Sequence, residues 1–126
     1  MTTPDRDPLT ELVIGAAISV HRALGPGLLE SVYEECLAYD LTELGLDVQR
    51  QLYLPIRYKK IQLEQAYRID LLVNNRLIIE VKAIDALALI HDAQLLTYLR
   101  LTNIRTGLLI NFQVALLKDG IKRLVL

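Results

Sequence analysis

At 126 residues, 52% hydrophobic and 23% charged, the chain is too apolar for a disordered polymer and long enough to bury one core, an aliphatic one since Phe112 is the only Phe and Trp is absent. A formal charge of −1 excludes a protein that grips polyanions through a general basic excess, although a local basic rim around an acidic site stays compatible with it. The lone Cys36 excludes an intramolecular disulfide and a Cys-rich zinc site, and with no apolar run near the ~20 residues of a membrane span the expected setting is cytoplasmic, with no membrane partner.

The polar opening, residues 1–8, reads as a flexible tail and residues 9–126 as a single domain. From Pro8 to Leu24, Leu9, Leu12, Val13, Ala16, Ala17, Val20 and Leu24 follow the three-and-four spacing of one helix face, and Gly25-Pro26 stops it. His21 lies near the edge of that stripe. It either packs beside the core or contacts a phosphate or a catalytic carboxylate, and it is carried forward as a candidate substrate contact. A second helix runs from about Leu28 to Leu44 and ends at Gly45. Leu29, Val32, Tyr33, Cys36, Leu37, Leu41 and Leu44 share an arc in which Glu30 and Asp40 also fall, so an acid in the first turn is aimed at the core side.

Beyond Gly45 the pattern turns extended. Val48 to Tyr58 alternates loosely, Lys59-Lys60 makes a polar turn, and Pro55 marks an edge or bulged strand. Arg57, Lys59 and Lys60 are the densest basic cluster of the first half, read as a solvated turn or a phosphate contact. Next comes YRIDLLVNNRLIIEVK, residues 67–82, a hairpin of two apolar strands. A helix from about Ile90 to Leu101 follows, then a doubly buried strand from Thr106 to Phe112. Val114 to Leu117 and Ile121 to Leu126 flank Lys118-Asp119-Gly120, an expected hairpin turn.

Asp70, Glu80 and Lys82 place charge inside apolar strands, which is costly unless it is paired or bound to a metal. Alternation puts Ile78, Glu80 and Lys82 on one face. It likewise groups Arg68, Asp70 and Leu72, with Ile69, Leu71 and Val73 on the opposite side. A two-residue turn at Asn74-Asn75 would oppose Asp70 to Ile79 and send the two acids to different faces. A shared site therefore requires a three-residue connection, Asn74 to Arg76, with an Asn in the left-handed conformation, which pairs Val73 with Leu77 and Asp70 with Glu80. Two converging carboxylates with incomplete coordination suit Mg²⁺ or Mn²⁺, which would polarise a phosphoryl oxygen, while Lys82 would orient the attacking water. An internal salt bridge from Lys82 to either acid is the plain structural alternative.

The ordered set Asp70, Glu80-Val81-Lys82, then Gln94 and Tyr98 four apart on the next helix resembles the PD-(D/E)XK nuclease superfamily in its RecB-like form, with a QxxxY element. More narrowly, Gly27-Leu28-Leu29-Glu30-Ser31-Val32-Tyr33 is similar to the GxxExxY motif of a small bacterial family within it. Ile69 stands where the superfamily's name has Pro. The resemblance implies an α/β, restriction-endonuclease-like core with a central mixed β-sheet flanked by helices, in the order α-α-β-β-β-α-β-β. It implies a metal-dependent nuclease hydrolysing DNA, with Asp70, Glu80, Lys82 and Glu30 as catalytic residues. Asp70, Glu80, Glu30 and the Val81 carbonyl would hold the metal, and Gln94 and Tyr98 would flank the pocket and help place the DNA strand or the metal ligands. Arg68, on the Asp70 face of its strand, and His21 join them as candidate substrate contacts. The alternative is a catalytically silent module of the same fold that binds nucleic acid or a protein partner. A homodimer through an exposed strand edge near Pro55 or at Ile121 to Leu126 is compatible with both.

Overall fold

In the computed structural model, which describes residues 7–126, helix α1 (Pro8–Leu24) begins where Asp7 accepts hydrogen bonds from the Leu9 N–H at 3.3 Å and the Thr10 hydroxyl at 2.9 Å. Pro8 is thus the first helical residue. The rest of the expected flexible tail, residues 1–6, lies outside the described residues. Gly25 ends the helix at φ 70, its N–H bonded to the His21 carbonyl. Helix α2 (Glu30–Glu43) buries Tyr33, Glu34, Leu37, Ala38 and Leu41. Its inward face is therefore narrower than the expected arc, with Leu29 and Leu44 exposed at the ends.

Five strands follow: β1 (Val48–Tyr58), β2 (Ile61–Val73), β3 (Leu77–Lys82), β4 (Thr106–Asn111) and β5 (Ile121–Val125). They lie side by side in chain order. All neighbours are antiparallel except β3 and β4, which are parallel and joined by helix α3 (Leu89–Thr102). A parallel pair needs such a crossover, because no tight turn can return the chain to the same end of the sheet. Helices α1 and α2 cover one face, packing on Leu71, Val73, Ile79, Val81, Leu108 and Ile110. Helix α3 covers the other, packing on Ile69, Leu72, Ile78 and Leu109. This mixed sheet between helix layers is the expected restriction-endonuclease-like architecture. No helix among the described residues is long and apolar enough to cross a membrane.

Two expectations need correction. Residues 114–117 form no strand: the Val114 carbonyl is taken by His21, Leu117 is buried, and Leu117–Gly120 make a 3₁₀ turn, so β5 pairs with β4 instead. Gly120 is required in that turn, because a Cβ there would sit 2.2 Å from the Asn111 carbonyl oxygen. Ile69 also does not share a face with Leu71. Ile69 packs with α3 and Leu71 with α1 and α2. The partner strand changes face at the same level: Arg50 reaches Glu34 on α2, whereas Leu52 packs with the α3 cluster. Between them Gln51 adopts φ 54, an unusual left-handed residue that rotates β1 opposite Asp70.

Candidate active-site cleft

β2 and β3 pair from Val73 opposite Leu77 to Leu71 opposite Ile79, the register that the three-residue connection predicts. Asn74 and Asn75 take φ 52 and 53, and the Arg76 N–H closes the turn on the Val73 carbonyl at 3.0 Å. One step further along, the ladder gives way to side chains. The Asp70 N–H donates to Glu80 Oε2 at 2.9 Å, and the Val81 N–H donates to Asp70 Oδ2 at 2.8 Å. Each carboxylate thus replaces a strand partner with one oxygen, leaving Asp70 Oδ1 and Glu80 Oε1 for another contact.

Glu80 is 3% exposed. Burial pushes its carboxyl well above the ordinary range, and the Asp70 charge pushes it further. Asp70 is raised too, chiefly by burial, against the downward pull of the Val81 N–H. Lys82 lowers both through its charge, yet no ion pair within 4 Å joins it to either acid among the described residues. The internal salt bridge is not formed. Two desolvated carboxyls with no cation in contact hold a proton towards neutral pH, or they accept a metal ion.

These residues floor a cleft of about 370 Å³ lined by Glu30, Arg68, Asp70, Glu80, Lys82, Gln94 and Tyr98. Glu30 arrives from the first turn of α2, its Oε2 accepting the Ala83 N–H at 3.1 Å just beyond β3. The turn that leads into this helix start is clasped by Tyr33. The Tyr33 hydroxyl donates to the Gly25 carbonyl at 2.6 Å and accepts from the Leu28 N–H at 3.1 Å, while its ring stacks on Phe112. Gly27, at φ 104, supplies the turn between them. Tyr98 is buried edge-on to Tyr67, and burial together with the two nearby acids pushes its hydroxyl up to about 12, so it stays a proton donor. Val81, the expected carbonyl donor, is buried between Glu80 and Lys82.

His21 is not brought to the cleft. Its Nε2 lies 2.8 Å from the Val114 carbonyl and its ring packs near Phe112, which fixes residues beyond β4 against α1. Other supporting residues carried no local sequence signal. Asn111, 2% exposed, bonds the Ile84 N–H and carbonyl and the Gln113 N–H, pinning the exit of β3 to the end of β4. Glu34 holds Arg50 and Gln51. Tyr53, Gln65, Ala66 and Tyr67 complete one wall of the cleft.

No three His, Cys, Asp or Glu side chains among the described residues close into a ready metal cage. The expected donors, Asp70, Glu80, Glu30 and the Val81 carbonyl, are all oxygen, a chemistry that would suit a hard divalent ion only if water and substrate supplied its remaining ligands. In comparison with known proteins, a family model described as the PD-(D/E)XK nuclease superfamily matches residues 7–124. No curated protein and no solved structure matches the chain.

Proposed function

The chain belongs to the PD-(D/E)XK nuclease superfamily, and from that premise we propose that it is a metal-dependent nuclease hydrolysing DNA phosphodiester bonds. The observation that carries the reading is the parting of β2 and β3. It sets a buried carboxyl, Glu80, and a half-buried one, Asp70, beside Lys82, which makes no ion pair among the described residues, on the floor of an open cleft.

Asp70 and Glu80 would hold Mg²⁺ or Mn²⁺ with the Val81 carbonyl and Glu30. When bound, such an ion supplies Lewis-acid stabilisation of phosphoryl charge. Lys82, in no ion pair among the described residues but close enough for its charge to act on both acids, stabilises negative charge developing at phosphorus and orients the attacking water. Arg68 contacts the flanking phosphate, and Gln94 and Tyr98 position the strand from the α3 side. Tyr98 does so as a donor throughout the working pH range.

Purified protein incubated with single-stranded, duplex and branched DNA is expected to cleave at least one of them only when Mg²⁺ or Mn²⁺ is present. Asp70→Ala is expected to lower the rate by about 10³-fold or more. The reading fails if no substrate is cut and calorimetry finds no Mn²⁺ site that Asp70→Ala removes. A second reading, a silent nuclease-fold module, draws support from the main-chain bonds that Asp70 and Glu80 already make, which give both acids a structural role. Strand binding without cleavage in the same assay would favour it.

A further inference from the structure

The β1–β2 hairpin outruns the sheet that holds it. β2 pairs with β3 only over Leu71 to Val73, while its pairing with β1 continues to the Tyr58–Ile61 level. The hairpin beyond Arg50 and Leu71 is therefore a two-stranded arm, of a kind that contributes little stability in water by itself. Its register shifts partway along. Between the pairs Leu54–Tyr67 and Ile56–Leu63, β1 has only Pro55 where β2 has Glu64, Gln65 and Ala66, and Pro55 has no N–H to offer the ladder. Gln65 and Ala66 of that bulge, with Tyr53, Tyr67 and Arg68, line the cleft wall, so the arm is continuous with the site.

Its charge differs from that of the chain. Across residues 52–68, Arg57, Lys59, Lys60 and Arg68 stand against Glu64 alone, in a protein of net charge −1. Tyr58 is 59% exposed at the tip and Tyr53 47% exposed at the root. Lys59 turns the tip at φ 52 with its Nζ 5.2 Å from the centre of the Tyr58 ring. Cations beside solvent-facing aromatic rings suit a polyanion whose bases are free to stack.

We propose that this arm clamps an unpaired polynucleotide strand on its way to the cleft, with Arg57, Lys59 and Lys60 on successive phosphates and Tyr58 against a base. The inference deepens the nuclease reading and rests on it for the role of the cleft, but the binding step stands by itself. The residues assigned to the strand lie at the tip, from Arg57 to Lys60, and include none of the cleft acids.

The test is equilibrium binding in EDTA, where no cleavage intervenes. A fluorescein-labelled, mixed-sequence single-stranded oligodeoxynucleotide and its duplex are followed by anisotropy through a salt series. The triple variant Arg57→Gln, Lys59→Gln, Lys60→Gln is expected to bind the single strand at least about tenfold more weakly near physiological salt, with the slope of log K against log salt shallower by about 2. Tyr58→Ala is expected to weaken the single strand by about 5- to 100-fold and the duplex by less than about threefold. A charge-matched control, Arg22→Gln, Arg105→Gln, Lys118→Gln, is expected to keep the wild-type slope. The proposal is overturned if the folded arm variant keeps wild-type affinity and slope, if the control matches it, or if Tyr58→Ala affects both probes alike. A shift in molecular mass with binding unchanged would also overturn it, by assigning the arm to contact with a second copy. A protein that binds in the expected way but cuts nothing would sink the nuclease reading and leave the clamp standing.

Discussion

Glu34 and Glu80 are both carboxylates buried in the same domain, 6% and 3% exposed, and the fold treats them in opposite ways. Glu34 receives Arg50 at 3.1 Å and the Gln51 amide at 2.6 and 2.8 Å, so its charge is matched where it is buried. Glu80 receives one main-chain N–H and a second acid. The fold supplies a guanidinium to one buried glutamate and, among the described residues, brings no cation within ion-pair distance of the other. The difference separates scaffold from site more sharply than burial or charge does alone.

The comparison can be broken at either acid. Glu34→Ala strips the partner from Arg50 and Gln51 and is expected to cost about 1–3 kcal/mol. The figure is held below that of a fully buried pair because Arg50 is 41% exposed. Urea midpoints would read it, and a midpoint equal to wild type would remove Glu34 from the scaffold.

Glu80→Gln should act with the opposite sign. A carboxyl whose folded pKa is raised binds more protons folded than unfolded, so its charge weakens the protein as pH rises through the folded value. In EDTA, wild type is expected to lose stability from pH 5 to pH 8, and Glu80→Gln to be more stable by about 1–2 kcal/mol at pH 8 and nearly equal at pH 4. Parallel curves for the two proteins would refute the uncompensated acid.

Glu30, the third acid, belongs to neither case, since it is exposed and begins a helix whose preceding turn is held by the Tyr33 clasp. Tyr33→Phe keeps the ring stack and loses both hydroxyl bonds, an expected cost of about 1 kcal/mol. If the clasp aims Glu30, Mn²⁺ affinity by calorimetry should fall about two- to fivefold. Unchanged affinity would detach Glu30 from the metal set.

How far the sequence carried depends on the range of the interaction. Helix α1 was legible because its stripe and its Gly25 stop are local, and so was the Asp70–Glu80 register, which follows from counting Asn74 to Arg76. Glu34 was not, because the cation that makes its burial tolerable comes from β1, 16 residues later. For the same reason alternation failed at Ile69. The rotation originates at Gln51 on the neighbouring strand, and nothing within β2 announces it. The expected hairpin at Lys118 to Gly120 gave way because Gly120 fits under the Asn111 carbonyl and His21 holds the preceding residues. His21 itself shows how a residue type suited to phosphate contact can instead serve the packing of a chain end.

The point where β3 leaves β2 also divides the molecule by cooperativity. Amides of β3 and β4 lie in the middle of the sheet between two helix layers, so releasing them requires the core to open. Those of the hairpin tip, past the Pro55 irregularity, pair only with each other and are expected to open with a smaller free energy that the core does not share. The tip can therefore loosen and reclose many times within the lifetime of a single folded molecule, while Asp70 and Glu80 stay where the sheet put them.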